Sequence, residues 1–137
     1  MPEARPFSSF PEALRYVSDN LPEIILPAAI KGAARIKSEI LLNLSGRVLN
    51  QRSGDLYRSV SARARTDRDG LLLTVGSGGP SIPYAVIHEY GGQTGRGGKT
   101  HIRARPYVLP AIDEDEGRMF EEIGEAITEA LIYGRRR

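Results

Sequence analysis

The chain has 137 residues, a formal net charge of +2 and 40% apolar residues, with six Tyr, three Phe and no Trp. That length suits a single domain spanning residues 1–137 around one modest core, with little left over to enclose a large active site. Cysteine is absent, which excludes disulfide frameworks, thiol nucleophiles and cysteine metal sites.

The N-terminal stretch lacks the apolar centre of a secretory signal. The longest apolar run, residues 24–30, is interrupted by Pro27 and is too short to cross a membrane. The expected setting is therefore a reducing cytoplasm, or something assembled there, with no membrane partner. Charge is unevenly distributed. Residues 1–45 carry five acids and five bases, residues 46–112 carry ten bases against four acids, and residues 113–134 carry eight acids against one base. A basic middle and an acidic end can neutralise each other within one chain, or the acidic helix of one copy can face the basic body of the next.

Ser9 followed by Glu12 is a capping-box pattern. Phe10, Leu14, Val17 and Leu21 recur at helical spacing, so a first helix is expected to about Asn20, with Pro22 opening a second. Ile25, Ala28, Ala29, Gly32, Ile36, Ile40 and Leu44 continue one apolar stripe to Gly46, which offers a left-handed stop. Pro27 falls early enough to kink this helix rather than break it.

Residues 53–56 read as a turn or one helical turn. Residues 59–65 alternate as a half-exposed strand does, Asp67-Arg68-Asp69-Gly70 supplies a tight turn, and residues 71–75 return as the partner strand. Residues 84–90 are too short for periodicity to separate strand from helix. Residues 91–100, rich in glycine and basic, are expected to be a flexible surface loop, and residues 100–104 form a candidate strand. Asp113 is expected to cap a last helix, with four carboxylates from Asp113 to Glu116 on its first turn against the positive end of the dipole. Phe120, Ile123, Ile127 and Leu131 form its expected buried stripe, and Gly134 ends it.

Motifs for chemistry are weak. Around Gly98-Lys99-Thr100, the phosphate-loop pattern would need glycine where Gln93 stands, and a helix rather than an extended run into Pro106 should follow. His88-Glu89 lacks the second histidine of a zinc protease, since position 92 is Gly. Ser77 and Ser81 sit in a loop without a nucleophile elbow. His88 and His101 read as surface or interface hydrogen-bonding groups, and the acids of residues 113–116 as a solvated helix turn. No enzyme and no cofactor is expected. Arg58, Arg63, Arg65, Arg96, Lys99, Arg103 and Arg105 attract phosphate without reading sequence, and no recognition helix or paired-aromatic signature accompanies them.

Four ordered segments resemble the tail-completion family of tailed bacteriophages, also labelled head–tail connector, virion-morphogenesis or minor tail proteins. Residues 51–60, with Gly54, Leu56 and Ser59, are similar to the family's G-x-L-x-x-S-I/V segment. The second segment is the hairpin closing on Val75-Gly76-Ser77. Residues 84–92, with Tyr84, His88, Glu89, Tyr90 and Gly91, resemble its Y-A-x-x-H/V-E/Q-F/Y-G box. Residues 104–112, with Arg105, Pro106 and Tyr107, resemble A-R-P-F-L-x-P-A-L, with Tyr107 where Phe is commoner. A last amphipathic helix follows, as in the family, while residues 1–20 add a helix outside the resemblance.

The physical reading agrees. Tyr84 and Tyr90 can bury their rings while keeping a hydroxyl bonded, Gly54, Gly76 and Gly91 suit chain reversals, and Arg105, held extended before Pro106, can reach a carboxylate such as Glu89.

The expected fold is α+β: N-terminal helices, a small mainly antiparallel β-sheet with a central hairpin, and a C-terminal amphipathic helix packed on the sheet. The resemblance implies a structural virion protein of the head–tail junction, a homo-oligomeric ring of six copies around the DNA channel, assembled in the host cytoplasm. Its neighbours would be a head-closure or adaptor protein on one side and a tail terminator or tail tube on the other, with genomic double-stranded DNA nearby and unread. A tail terminator or head-closure (stopper) protein is the alternative, and a sequence-nonspecific DNA-binding module a more distant one. Candidate subunit or neighbour contacts are Arg58, Glu89, Tyr90, Arg96, Lys99, Arg103, Arg105, Glu114 and Glu116. Gly54, Leu56, Ser59, Tyr84, Gly91, Pro106 and Tyr107 define the motif.

Overall fold

The computed structural model describes residues 7–50 and 54–134. Helix α1 runs Phe10–Leu42. Ser9 caps it by accepting from the Glu12 N–H, and Glu12 reaches back to the Ser8 N–H at 2.9 Å, a capping box displaced by one residue. The Ser8 hydroxyl also bonds Glu12, and this pair holds the exposed carboxyl below its ordinary value.

The expected break near residue 20 does not occur: α1 is continuous through Pro22 and Pro27. An internal proline forfeits one helical hydrogen bond and costs about 3 kcal/mol. Here α1 lies along the last helix over much of its length, and that packing holds the two flawed turns in register. A π-type turn, Asn43–Arg47, follows, and within it Gly46 takes φ +110, the left-handed stop expected there.

After the short helix α2, Asp55–Arg58, the strands β1 (Ser61–Asp67) and β2 (Gly70–Gly76) form an antiparallel hairpin. Ala64 stands opposite Leu73 and Asp67 opposite Gly70. The Asp67 carboxylate accepts from the N–H groups of Asp69 and Gly70 at 2.9 and 3.2 Å, the side-chain turn that Asp favours. The hairpin lies against α1.

Residues 84–90, undecided by periodicity, form helix α3, Tyr84–Tyr90. The segment expected as a flexible loop folds into a short ribbon instead. Strand β3 (Gly92–Thr94) and strand β4 (Thr100–Ile102) pair antiparallel across a 3₁₀ turn, Arg96–Gly98. Its backbone amides bond across the ribbon, which composition alone does not disclose.

Helix α4 spans Leu109–Tyr133 and packs antiparallel along α1. It begins a turn before Asp113, so Asp113 is not its cap and the first turn carries no acid. The expected stripe is also displaced. Met119 is buried whereas Phe120 is 71% exposed, and Ile123, Ile127 and Leu131 are half-buried. On α1, by contrast, Ala28, Ala29, Gly32, Ile36, Ile40 and Leu44 are all buried as their spacing requires, while Phe10, Leu14 and Leu21 are exposed.

The core joins Ile36, Ile40 and Leu44 of the α1 region to Val60, Tyr107, Ala111 and Met119, with Leu73 and Val75 of the hairpin packed on it. The fold is α+β, with the C-terminal helix and the small antiparallel sheet meeting in this common core.

Candidate functional site

Glu89 lies on the inner face of α3 and is 8% exposed. Its Oε2 accepts from the backbone N–H of Tyr107 at 2.8 Å and of Val108 at 3.0 Å, and Oε1 accepts from that of Leu109 at 2.9 Å. These amides open α4. Glu89 therefore caps that helix from a distant segment, placing a negative charge where the dipole is positive and orphan donors need partners.

The same bonds link the four motif segments in sequence. Ser59 Oγ accepts from the Gly78 N–H at 2.7 Å, joining the first segment to the end of the hairpin. Ser77 Oγ and the Tyr107 hydroxyl are 2.6 Å apart, joining the hairpin to the fourth segment. Glu89 joins the third segment to the fourth, and the Arg105 N–H donates to the His88 carbonyl at 2.8 Å. The Tyr107 ring is 1% exposed, and burial pushes its hydroxyl pKa up from 10.0, with the Ser77 bond opposing the shift.

Two expectations are corrected here. Glu89 is committed to backbone amides inside the fold, so it is not a surface contact. Its carboxylate is also not the partner of Arg105, whose side chain is exposed while its backbone bonds His88. Ser77, weighed only as a nucleophile, is the hydrogen-bond partner of Tyr107.

The remaining candidates are distributed as follows. Arg96, Lys99, Arg103 and Arg105 are exposed on or beside the ribbon, and Tyr90 is 68% exposed at the end of α3. Glu114 and Glu116 are exposed on α4. Arg58 is exposed on α2 and reaches Asp55 at 2.6 Å. Gly54 leads into α2, Leu56 packs against the core, and Gly91 closes α3. Pro106 is exposed, and Tyr84 stands edge-on to His88 with ring centres 6.0 Å apart. A cavity of about 600 Å³ opens among Leu56, Tyr57, Tyr84, His88, Ile102 and Arg105, so the first, third and fourth segments share its wall. Its wall combines apolar surface with two phenols, one imidazole and one guanidinium.

A second charged group was not foreseen. The Arg35 guanidinium reaches Asp115 at 2.6 Å and Glu122 at 3.0 Å, tying α1 to α4. Its hydrogen bond to Asp115 raises the Arg35 pKa, and Arg35 in turn lowers that of Glu122. Asp115, expected in a solvated turn, is instead buried beside this cation. The one available signal was an arginine adjoining Ile36 on an otherwise apolar stripe.

No family model matches the chain, and no solved structure matches it. Part of it is similar to a phage protein. Over 45 residues it is 44% identical to the Mu-like prophage FluMu G protein 2 of Haemophilus influenzae, a match covering 33% of this chain and 32% of that protein. The likeness thus spans about a third of either chain and supports a phage-associated protein.

Proposed function

We propose that the chain is a structural virion protein of the phage neck, completing the tail and joining it to the head as a ring around the DNA channel. The observation that carries this reading is the run of hydrogen bonds from Ser59 through Gly78, Ser77 and Tyr107 to Glu89. The four segments that resemble tail-completion proteins pack as one unit, as they would if the resemblance reflects a shared architecture. The partial likeness to a Mu-like prophage protein supports the phage assignment.

On this reading the role is mechanical rather than catalytic. Copies of the chain close a ring with the help of exposed charge, Glu114 and Glu116 on α4 against the arginines of the basic middle. A ring of six follows the family resemblance. Arg96, Lys99 and Arg103 on the ribbon face either a neighbouring neck protein or the DNA channel, where cations meet phosphate without reading bases.

The test is deletion of the gene from the phage that carries it, followed by imaging. Separate heads and incomplete tails that regain infectivity on addition of the purified protein are expected. Infectious particles without the chain, or its absence from purified virions, would end the reading. Density in an adjacent ring would make it a tail terminator or head-closure protein.

A further inference from the structure

Only some of the large apolar side chains of α4 occupy its buried side: Met119 lies in the core and Ile112 and Ile123 pack against it, whereas Phe120 does not. The face against α1 carries Met119 among small or charged residues, namely Ala111, Asp115, Glu122, Ala126 and Ala130, all buried or half-buried. The neighbouring edge carries Phe120, 71% exposed, with Ile127 and Leu131 half-buried seven and eleven residues further along. These spacings keep one face of a helix. Asp113 and Glu116, seven and four residues before Phe120, continue the same edge and are exposed. An isolated exposed apolar residue needs no explanation, but an exposed Phe120 followed at helical spacing by two half-buried apolar residues, with carboxylates at the other end, has the form of an interface.

A surface of opposite charge lies on the hairpin. Its inner residues, including Leu73 and Val75, join the core. Its outer face presents Arg63, Arg65 and Leu72, with Arg65 directly across from Leu72 and Arg63 across from Thr74. Leu72 is 40% exposed. Both surfaces are exposed on the same chain, so neither covers the other.

We infer that the Phe120 edge of one copy docks on the outer face of the β1–β2 hairpin of a second copy. Phe120 packs on Leu72, and Asp113 and Glu116 face Arg63 and Arg65. Each copy then offers one surface of each kind, a heterologous contact that propagates until it closes. The occupant is a second copy because charge and apolar character match on both sides. This rests on the proposed ring and specifies which surfaces build it.

The cysteine-free sequence makes the test direct. Phe120→Cys and Leu72→Cys are made singly and together in the full chain and treated with a short bismaleimide, with sedimentation of each variant alongside. The double variant should give a ladder of cross-linked oligomers. Each single variant alone should give none, and the two mixed should give one dimer band. Phe120→Asp should weaken self-association by at least about tenfold.

Dimers from a single variant alone would overturn the inference by showing a symmetric contact. A double variant that does not cross-link although the protein sediments as an oligomer would overturn the inference while leaving the ring standing. No cross-link in a chain that remains monomeric at every concentration would remove the inference and the self-assembled ring together.

Discussion

The carboxylate of Glu89 accepts the backbone N–H of Tyr107 at 2.8 Å, and through that bond and its two companions a short helix caps a long one. Sequence places the two residues in separate motifs. The fold makes Glu89 a cap for the helix that Tyr107 leads into.

Glu89→Ala should therefore destabilise the protein by about 2–3 kcal/mol, because the buried Tyr107 amide is left unsatisfied at about 1–3 kcal/mol and the part-buried amides of Val108 and Leu109 also lose their partner. Glu89→Gln should cost about half as much, since its amide oxygen still accepts but its NH₂ faces a donor. Urea denaturation of both variants measures this. Equal stability of Glu89→Ala and wild type would mean that α4 is capped otherwise.

At Tyr107 the ring and the hydroxyl have separable roles. Tyr107→Phe keeps the core filled but leaves Ser77 without its 2.6 Å partner, at a cost of about 1 kcal/mol. Tyr107→Ala opens a cavity beside Ile36, Ile40 and Ala111 and should cost about 3–5 kcal/mol. Because burial raises the folded pKa of this phenol, its contribution is complete below the ordinary value near 10 and is lost as pH rises through the folded value. Thermal denaturation of wild type and Tyr107→Phe across alkaline pH should show a steeper decline for wild type.

Local periodicity made some of this fold readable and concealed the rest. The stripe from Ala28 to Leu44 is readable because each buried position follows from helical spacing alone. The hairpin is readable because Asp67 and Gly70 specify its turn chemically. The continuity of α1 through Pro22 is not, since it depends on packing along α4. The start of α4 at Leu109 is hidden for the same kind of reason, because its cap is Glu89, twenty residues away in sequence. Sequence motifs singled out Glu89 and Tyr107, but their shared hydrogen bond and the role of Ser77 are tertiary facts. Phe120 was expected inside because periodicity identifies an apolar face without saying what covers it.

Gly91 tests how tightly the ribbon is held to α3. Its φ is +74, and a Cβ there would stand 2.9 Å from both the Ala104 nitrogen and the Ile102 carbonyl oxygen. Both neighbours are backbone and cannot swing aside. Gly91→Ala should cost about 1–3 kcal/mol and should increase proteolysis within residues 91–105. Unchanged stability and an unchanged cleavage pattern would show that the close approach is not maintained in solution.

Arg35 sets an acid limit on the packing of α1 against α4. Its guanidinium holds Asp115, which is buried, and Glu122. Arg35→Met should destabilise the protein by about 2–3 kcal/mol at neutral pH, chiefly by leaving the Asp115 carboxylate buried without a cation. Arg35 lowers the folded pKa of Glu122 below its ordinary 4.5. The stabilisation from that pair is therefore complete above 4.5 and is lost as pH falls through the lower folded value. Wild type should lose stability with acidification over that window, and the gap between wild type and Arg35→Met should narrow as Glu122 takes up its proton. Urea denaturation at neutral pH and at stepwise lower values follows both quantities, and a gap that stayed constant through the carboxylate range would show that the Arg35 pairs do not hold the two helices together.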